Sequence, residues 1–293
     1  MGVERRRRRG RRGRLAGGGV ILALTIGMLA GCSDDSPDPA GVPGGTATPP
    51  RASAGDGDGV TGGKTTNPAA APRKGALAGK VIVIDPGHNG GDAAHPEIVN
   101  KLVDVITGRK PCDAVGTAAA SGYPEHAFNW DVANRLRRLL RAEGAKVVLT
   151  RSSDKGVGPC ITERAAIGNR HKADAALSIH ADGAGARDHG FHIIEPLPIK
   201  GHNEQIVPDS RKLGRALRDA YRKGTGMPYA TYRGNNAIDA RDDLGGLNLS
   251  TRPKVFIECG NMKNRGDAAK LKSGAFRQRI AESLTAGFAA YFS

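Results

Sequence analysis

The feature that most constrains this chain is a set of short apolar runs, each ending in residues able to do chemistry. Lys80-Val81-Ile82-Val83-Ile84 leads into Asp85-Pro86-Gly87-His88, Ala175–Ile179 into His180-Ala181-Asp182, and Val255–Ile257 into Glu258-Cys259-Gly260. Runs of this length without apolar/polar alternation fit strands covered on both faces, as in parallel sheets. Ala145–Thr150 and Phe191–Ile194 are two more. Between them, Pro124–Arg141 places Phe128, Val132, Leu136 and Leu140 four apart, the stripe of an amphipathic helix opened by proline and an acid. Thr162–Lys172, Asp209–Lys223 and Phe276–Tyr291 read as further helices. This alternation predicts one α/β domain over residues 76–293, a mainly parallel twisted sheet flanked by helices on both faces.

Open α/β sheets bind ligands at the carboxyl ends of their strands. His88, His180 and Glu258 therefore leave one rim, and Glu125 opens a helix that can start there. Two histidines and a glutamate with an open fourth position are what a catalytic zinc site requires, which leaves Glu258 free as a general base. Each residue also has an ordinary reading: a capped histidine at a strand end, a helix-dipole acid at Glu125, an ion pair at Glu258. The gaps of 37, 55 and 78 residues match no compact metal motif, and His-Glu-x-x-His is absent. The residues alone indicate a hydrolase and leave its use of metal open.

Residues 1–32 read as a targeting segment. Eight arginines between Arg5 and Arg14 precede an apolar run from Leu15 to Ala30 and the sequence Leu29-Ala30-Gly31-Cys32. That order is a secretory signal, too short and glycine-rich in its apolar part for a spanning helix. Its ending resembles a bacterial lipobox, making Cys32 the expected lipidation site. Residues 33–75 are Gly, Pro, Ala, Ser, Thr and Asp with almost no large apolar side chain. They read as a disordered tether with a reach of about 35 Å. The expected location is thus the cell envelope, exported and anchored to the outer face of the cytoplasmic membrane.

The leader also reduces the apparent charge. Its eight arginines and Glu4 account for +7 of the formal +15, which leaves +8 on the remainder. That suits a polyanionic envelope, and no nucleic-acid motif appears. Cys112 and Cys160 lie in polar loops, whereas Cys259 follows an apolar strand. In an oxidising compartment the loop cysteines are the natural disulfide pair, with a stabilisation of about 4 kcal/mol on the chain-entropy account.

Several segments, in order, resemble one family. Val83-Ile84-Asp85-Pro86-Gly87-His88-Asn89-Gly90-Gly91-Asp92 is similar to the opening signature of the zinc-dependent N-acetylmuramoyl-L-alanine amidases, the type 3 amidase catalytic domain. Glu125-His126-Ala127-Phe128-Asn129, Leu149–Asp154, Leu177–Asp182 and Val255–Asn264 continue the resemblance, which spans about Lys80 to Phe292. It implies one Zn²⁺ held by His88, Glu125 and His180. It implies Glu258 as the catalytic base and acid, and zinc-activated water as nucleophile on the N-acetylmuramic acid–L-alanine bond of peptidoglycan or muropeptides. Asp85 is a candidate for orienting a ligand histidine, or for capping its own turn. A zinc peptidase cutting within the stem peptide is the rival reading, and a monomer is expected. The polar stretch from Asn89 to Pro124 reads as an insertion, either a flap or a surface loop pinned by the disulfide. The segment between Glu195 and Asp209 is too short for a blocking helix, so an open site is expected.

Overall fold

β-Branched and leucine-rich runs form strands here because they are sealed on both faces. In the computed structural model, which describes residues 75–293, the elements are β1 (Val81–Pro86), α1 (Pro96–Val99), β2 (Leu102–Asp104), β3 (Arg109–Pro111), α2 (Glu125–Ala142), β4 (Lys146–Leu149), α3 (Ile161–Arg170), β5 (Ala175–Asp182), β6 (His192–Pro196), α4 (Val207–Thr225), β7 (Ile238–Arg241), α5 (Gly245–Asn248), β8 (Lys254–Asn261), α6 (Arg265–Lys272) and α7 (Gly274–Phe292). The leader over residues 1–32 with Cys32, and the tether up to residue 74, lie outside the described residues. Among the described residues no helix is long and apolar enough to cross a membrane.

The six-stranded sheet has the order β4-β1-β5-β8-β6-β7. The first four strands run parallel, β6 pairs antiparallel to β8, and β7 lies parallel to β6. The reversal has a simple cause. Parallel neighbours need a crossover that returns the chain to the starting edge, and between β5 and β6 no helix intervenes. The chain therefore re-enters the sheet from the rim it has just left.

Helices α2, α4 and α7 pack together on one face, and α3 and α5 cover the other. The α2 stripe predicted from spacing is wholly buried: Phe128, Val132, Leu136 and Leu140 meet Ile82, Ile84, Leu177 and Ile179. α4 ends where Gly226 turns left-handed at φ 69°, its N–H donating to the Arg222 carbonyl, a conformation that glycine adopts without a Cβ clash. The α3 face is different in kind. Beyond a small cluster of Val83, Ala173 and Ala176, its buried side chains include Asp85, Arg164, Ser178 and Lys254. This polar layer lies under the strand ends at which His88 and His180 emerge.

Candidate active site

Gly87 and His88 follow directly on β1. The Gly87 N–H donates to the Ile179 carbonyl at 3.0 Å, and a Cβ on Gly87 would lie 2.0 Å from the His180 ring. Glycine therefore allows the neighbouring strands β1 and β5 to bring two imidazoles together. His88 itself adopts φ 57°, a left-handed conformation uncommon for a residue with a side chain. Its Nδ1 lies 2.7 Å from the Ala114 carbonyl and 3.3 Å from Asp113 Oδ1, which turns Nε2 inward to 3.2 Å from Glu125 Oε1.

Glu125 is the first residue of α2. Its Oε2 accepts the Thr117 N–H at 2.9 Å, and Oε1 accepts the Ala181 N–H at 3.2 Å. The same Oε1 lies 3.0 Å from His180 Nδ1. His180, leaving β5, stacks on Phe256 with ring centroids 5.4 Å apart and meets His88 edge-on at 4.9 Å. One candidate ligand atom from each of His88, Glu125 and His180 falls within 4.8 Å of the others, the only such cluster among the described residues. Gly116 closes one side at φ 80°, where a Cβ would stand 2.7 Å from the His88 ring and 2.9 Å from Glu125 Oε2.

The electrostatics separate the two glutamates. Burial raises the Glu125 carboxyl, but His88 and His180 outweigh it and hold the group well below the ordinary carboxylate range. Glu258 is held well above that range by burial, reinforced by the Glu125 and Asp182 carboxylates. Its Oε2 is buried without a hydrogen-bond partner. Both glutamates and both histidines line one cleft of about 430 Å³, together with Gly116, Asp182 and Phe256. Two imidazole nitrogens and a carboxylate converge beside an unpaired acid, a donor set suited to zinc.

Asp85 lies behind this cluster. It accepts from Thr150 Oγ1 and Ser178 Oγ at 2.7 Å each, from Arg164 Nη1 at 3.0 Å and from Lys254 Nζ at 3.3 Å, and neither histidine is among its partners. Arg164 carries the support onward, donating to the carbonyls of Pro86 at 2.8 Å and His88 at 3.3 Å and to Asp113 Oδ2 at 2.8 Å. Cys112 and Cys160 are joined as a disulfide, and Cys259 is buried and free. The inserted segment is pinned in this way. It is also tied to the α5 loop through Lys110–Asp243 at 3.0 Å and Asn248 Nδ2 to the Val105 carbonyl at 2.8 Å. Its stretch Ala114–Thr117 lines the cleft. Between β6 and α4 the chain forms only a 3-10 turn at Glu204–Ile206. Sequence reasoning missed Asp113, Ala114 and Gly116, which sit in an aperiodic loop, and the buried role of Arg164, which falls within a recognisable segment but off the apolar stripe.

The family described as N-acetylmuramoyl-L-alanine amidase matches residues 82–290. An N-acetylmuramoyl-L-alanine amidase of Mycobacterium tuberculosis is 40% identical over 217 residues, covering 74% of this chain and 88% of that protein. The crystal structure of the N-acetylmuramyl-L-alanine amidase Ami1 of Mycobacterium smegmatis superposes with a TM-score of 0.69 at 38% identity, covering 74% of this chain and 98% of that one. The apo form of Ami1 from Mycobacterium abscessus has the same TM-score at 40% identity and is covered completely.

Proposed function

The chain belongs to the N-acetylmuramoyl-L-alanine amidase family and is a peptidoglycan amidase, and from that premise we propose that it works with one zinc ion held by His88, Glu125 and His180. The bond cut is the amide joining the lactyl group of N-acetylmuramic acid to L-alanine. The observation that carries this reading is the pairing of two glutamates with opposite environments in one cleft: Glu125 kept ionised among imidazoles, and Glu258 buried with an unpartnered oxygen. A carboxylate kept ionised suits a metal ligand, and a buried acid with a raised pKa suits proton transfer.

Zinc supplies Lewis acidity toward a carbonyl oxygen and lowers the pKa of water. Glu125 contributes the negative charge and His88 and His180 the neutral donors. Glu258 Oε2 takes the proton of the attacking water and delivers it to the L-alanine nitrogen as the C–N bond breaks. Phe256 braces the His180 ring, and the segment Ala114–Thr117 forms part of the cleft wall.

The enzyme acts in the cell envelope on peptidoglycan or muropeptides as a monomer and has no nucleic-acid partner. Residues 1–32 export it, Cys32 anchors it through lipid to the outer face of the membrane, and residues 33–75 give it reach. A Cys32→Ser variant that stays in the membrane fraction would remove the anchor from this account. Digestion of defined muropeptides followed by mass analysis tests the reaction itself. The expected products are stem peptides with a free L-alanine amino terminus and intact muramic acid carboxylates. Cuts within the stem peptide would instead establish the rival zinc peptidase.

A further inference from the structure

A histidine ligand is only as well placed as the group that holds its other nitrogen. For His88 that group is a short piece of irregular chain. Asp113 and Ala114 belong to no helix or strand, yet their oxygens are the partners of His88 Nδ1. Both oxygens accept hydrogen bonds and cannot donate them, so they favour a proton on Nδ1 and leave Nε2, on the Glu125 side, as the nitrogen that would hold a metal. The backbone at His88 has the left-handed φ of 57°, and surrounding contacts must maintain such a conformation.

Several ties hold Asp113 in place, among them its own N–H, which donates to the Val99 carbonyl at 3.2 Å. Immediately before it, Cys112 is bonded to Cys160, the residue that caps α3. One turn into α3, Arg164 reaches back to Asp113 Oδ2 at 2.8 Å, and the Ile161 N–H donates to the Cys112 carbonyl at 2.8 Å. The disulfide thus fastens the start of α3 to the segment that grips the ligand histidine.

We propose that Asp113 is a positioning residue for His88 and that the Cys112–Cys160 disulfide keeps Asp113 and Ala114 in register, so that the chain retains its metal tightly only when oxidised. This rests on the zinc reading given above. A dithiol reductant would pass two electrons and two protons to the Cys112–Cys160 bond, leaving two thiols here and a disulfide on the reductant. The segment bearing Asp113 would then keep only its noncovalent ties to α3, and His88 would be less firmly oriented. The physiological consequence is that metal retention follows export: weak in a reducing compartment, strong in an oxidising one.

Zinc titration of the purified chain against a chromophoric chelator tests this at a single pH. The oxidised wild-type chain is compared with the dithiol-reduced chain, Asp113→Ala, Asp113→Asn and the Cys112→Ser/Cys160→Ser double variant, each with a metal-free melting curve. Asp113→Ala and loss of the disulfide are expected to weaken zinc binding by roughly 10- to 100-fold each. Combined, they should cost less than the product of the separate losses, because both act through one segment. Asp113→Asn keeps the side-chain volume and supplies the reading if Asp113→Ala does not fold. Absence of zinc binding by the oxidised wild-type chain overturns the metal reading and this inference together. Tight wild-type binding that stays within twofold in the Asp113 variants and the reduced chain overturns this inference alone.

Discussion

Arg164 Nη1 donates to Asp85 Oδ1 at 3.0 Å, at a point where neither side chain reaches solvent. Burial by itself raises the Asp85 carboxyl, but Lys254 and Arg164, with hydrogen bonds from Ser178 and Thr150, hold it far below the ordinary range. The same guanidinium pairs with Asp113. Arg164→Ala would deprive the buried Asp113 of its guanidinium and leave Asp85 with Lys254 as its cation, and loss of one partner of a buried pair costs about 3–5 kcal/mol. A urea unfolding midpoint unchanged by the substitution would contradict this.

His192 lies directly opposite Glu258 on the antiparallel pair β6/β8 and is almost fully buried. Burial, aided by Arg233 and Arg241, lowers its pKa from 6.5 to about 4, against an opposing pull from Asp182. In the unfolded chain the ring takes up a proton as pH falls below 6.5, whereas in the folded chain it does not until about 4. Its contribution is therefore present above pH 6.5 and lost as pH falls to 4, by up to about 3 kcal/mol. His192→Gln should flatten the stability profile in that window relative to wild type; identical slopes would show that the ring is not buried neutral.

Glu258→Gln preserves shape and removes the proton acceptor. Turnover is expected to fall by about 10²- to 10⁴-fold while bound zinc, measured by atomic absorption, stays at the wild-type level. Substantial turnover by this variant would take Glu258 out of the mechanism.

Removing the metal should have the reverse signature. A strong chelator abolishes muropeptide hydrolysis and added zinc restores it, whereas His180→Ala lacks stoichiometric zinc under the same conditions. Hydrolysis that persists in exhaustively chelated protein would show that the three side chains serve another purpose.

Gly87→Ala places a methyl carbon within 2.0 Å of the His180 ring. Overpacking of this kind costs about 1–3 kcal/mol, and here the displaced group is a proposed ligand. The variant should lose zinc affinity as well as melting temperature, and wild-type affinity in a folded Gly87→Ala would show that His180 has room to move.

The strands and the α2 stripe were legible because burial on both faces, or on one helical face, imposes a local pattern on the residues themselves. Val81–Ile84 and Phe128, Val132, Leu136 and Leu140 carry that pattern whatever surrounds them. β7 carries none: Ile238–Arg241 lies at the sheet edge, partly exposed along its length, so no apolar run announces it. The reversal of β6 was hidden for another reason, since strand direction depends on the route of the preceding loop.

The site divides along the same line. Residues at strand and helix ends, His88, Glu125, His180 and Glu258, can be placed on one rim from chain order and the rule that ligands gather where parallel strands end. Their convergence within 4.8 Å, the glycines that permit it, and the hold of Asp113 and Ala114 on His88 arise from contacts between segments far apart in sequence. Periodicity reports only what a residue needs from its immediate turn or strand. Which nitrogen of His88 faces inward depends on a loop 26 residues away, and only the closed fold brings that loop to it.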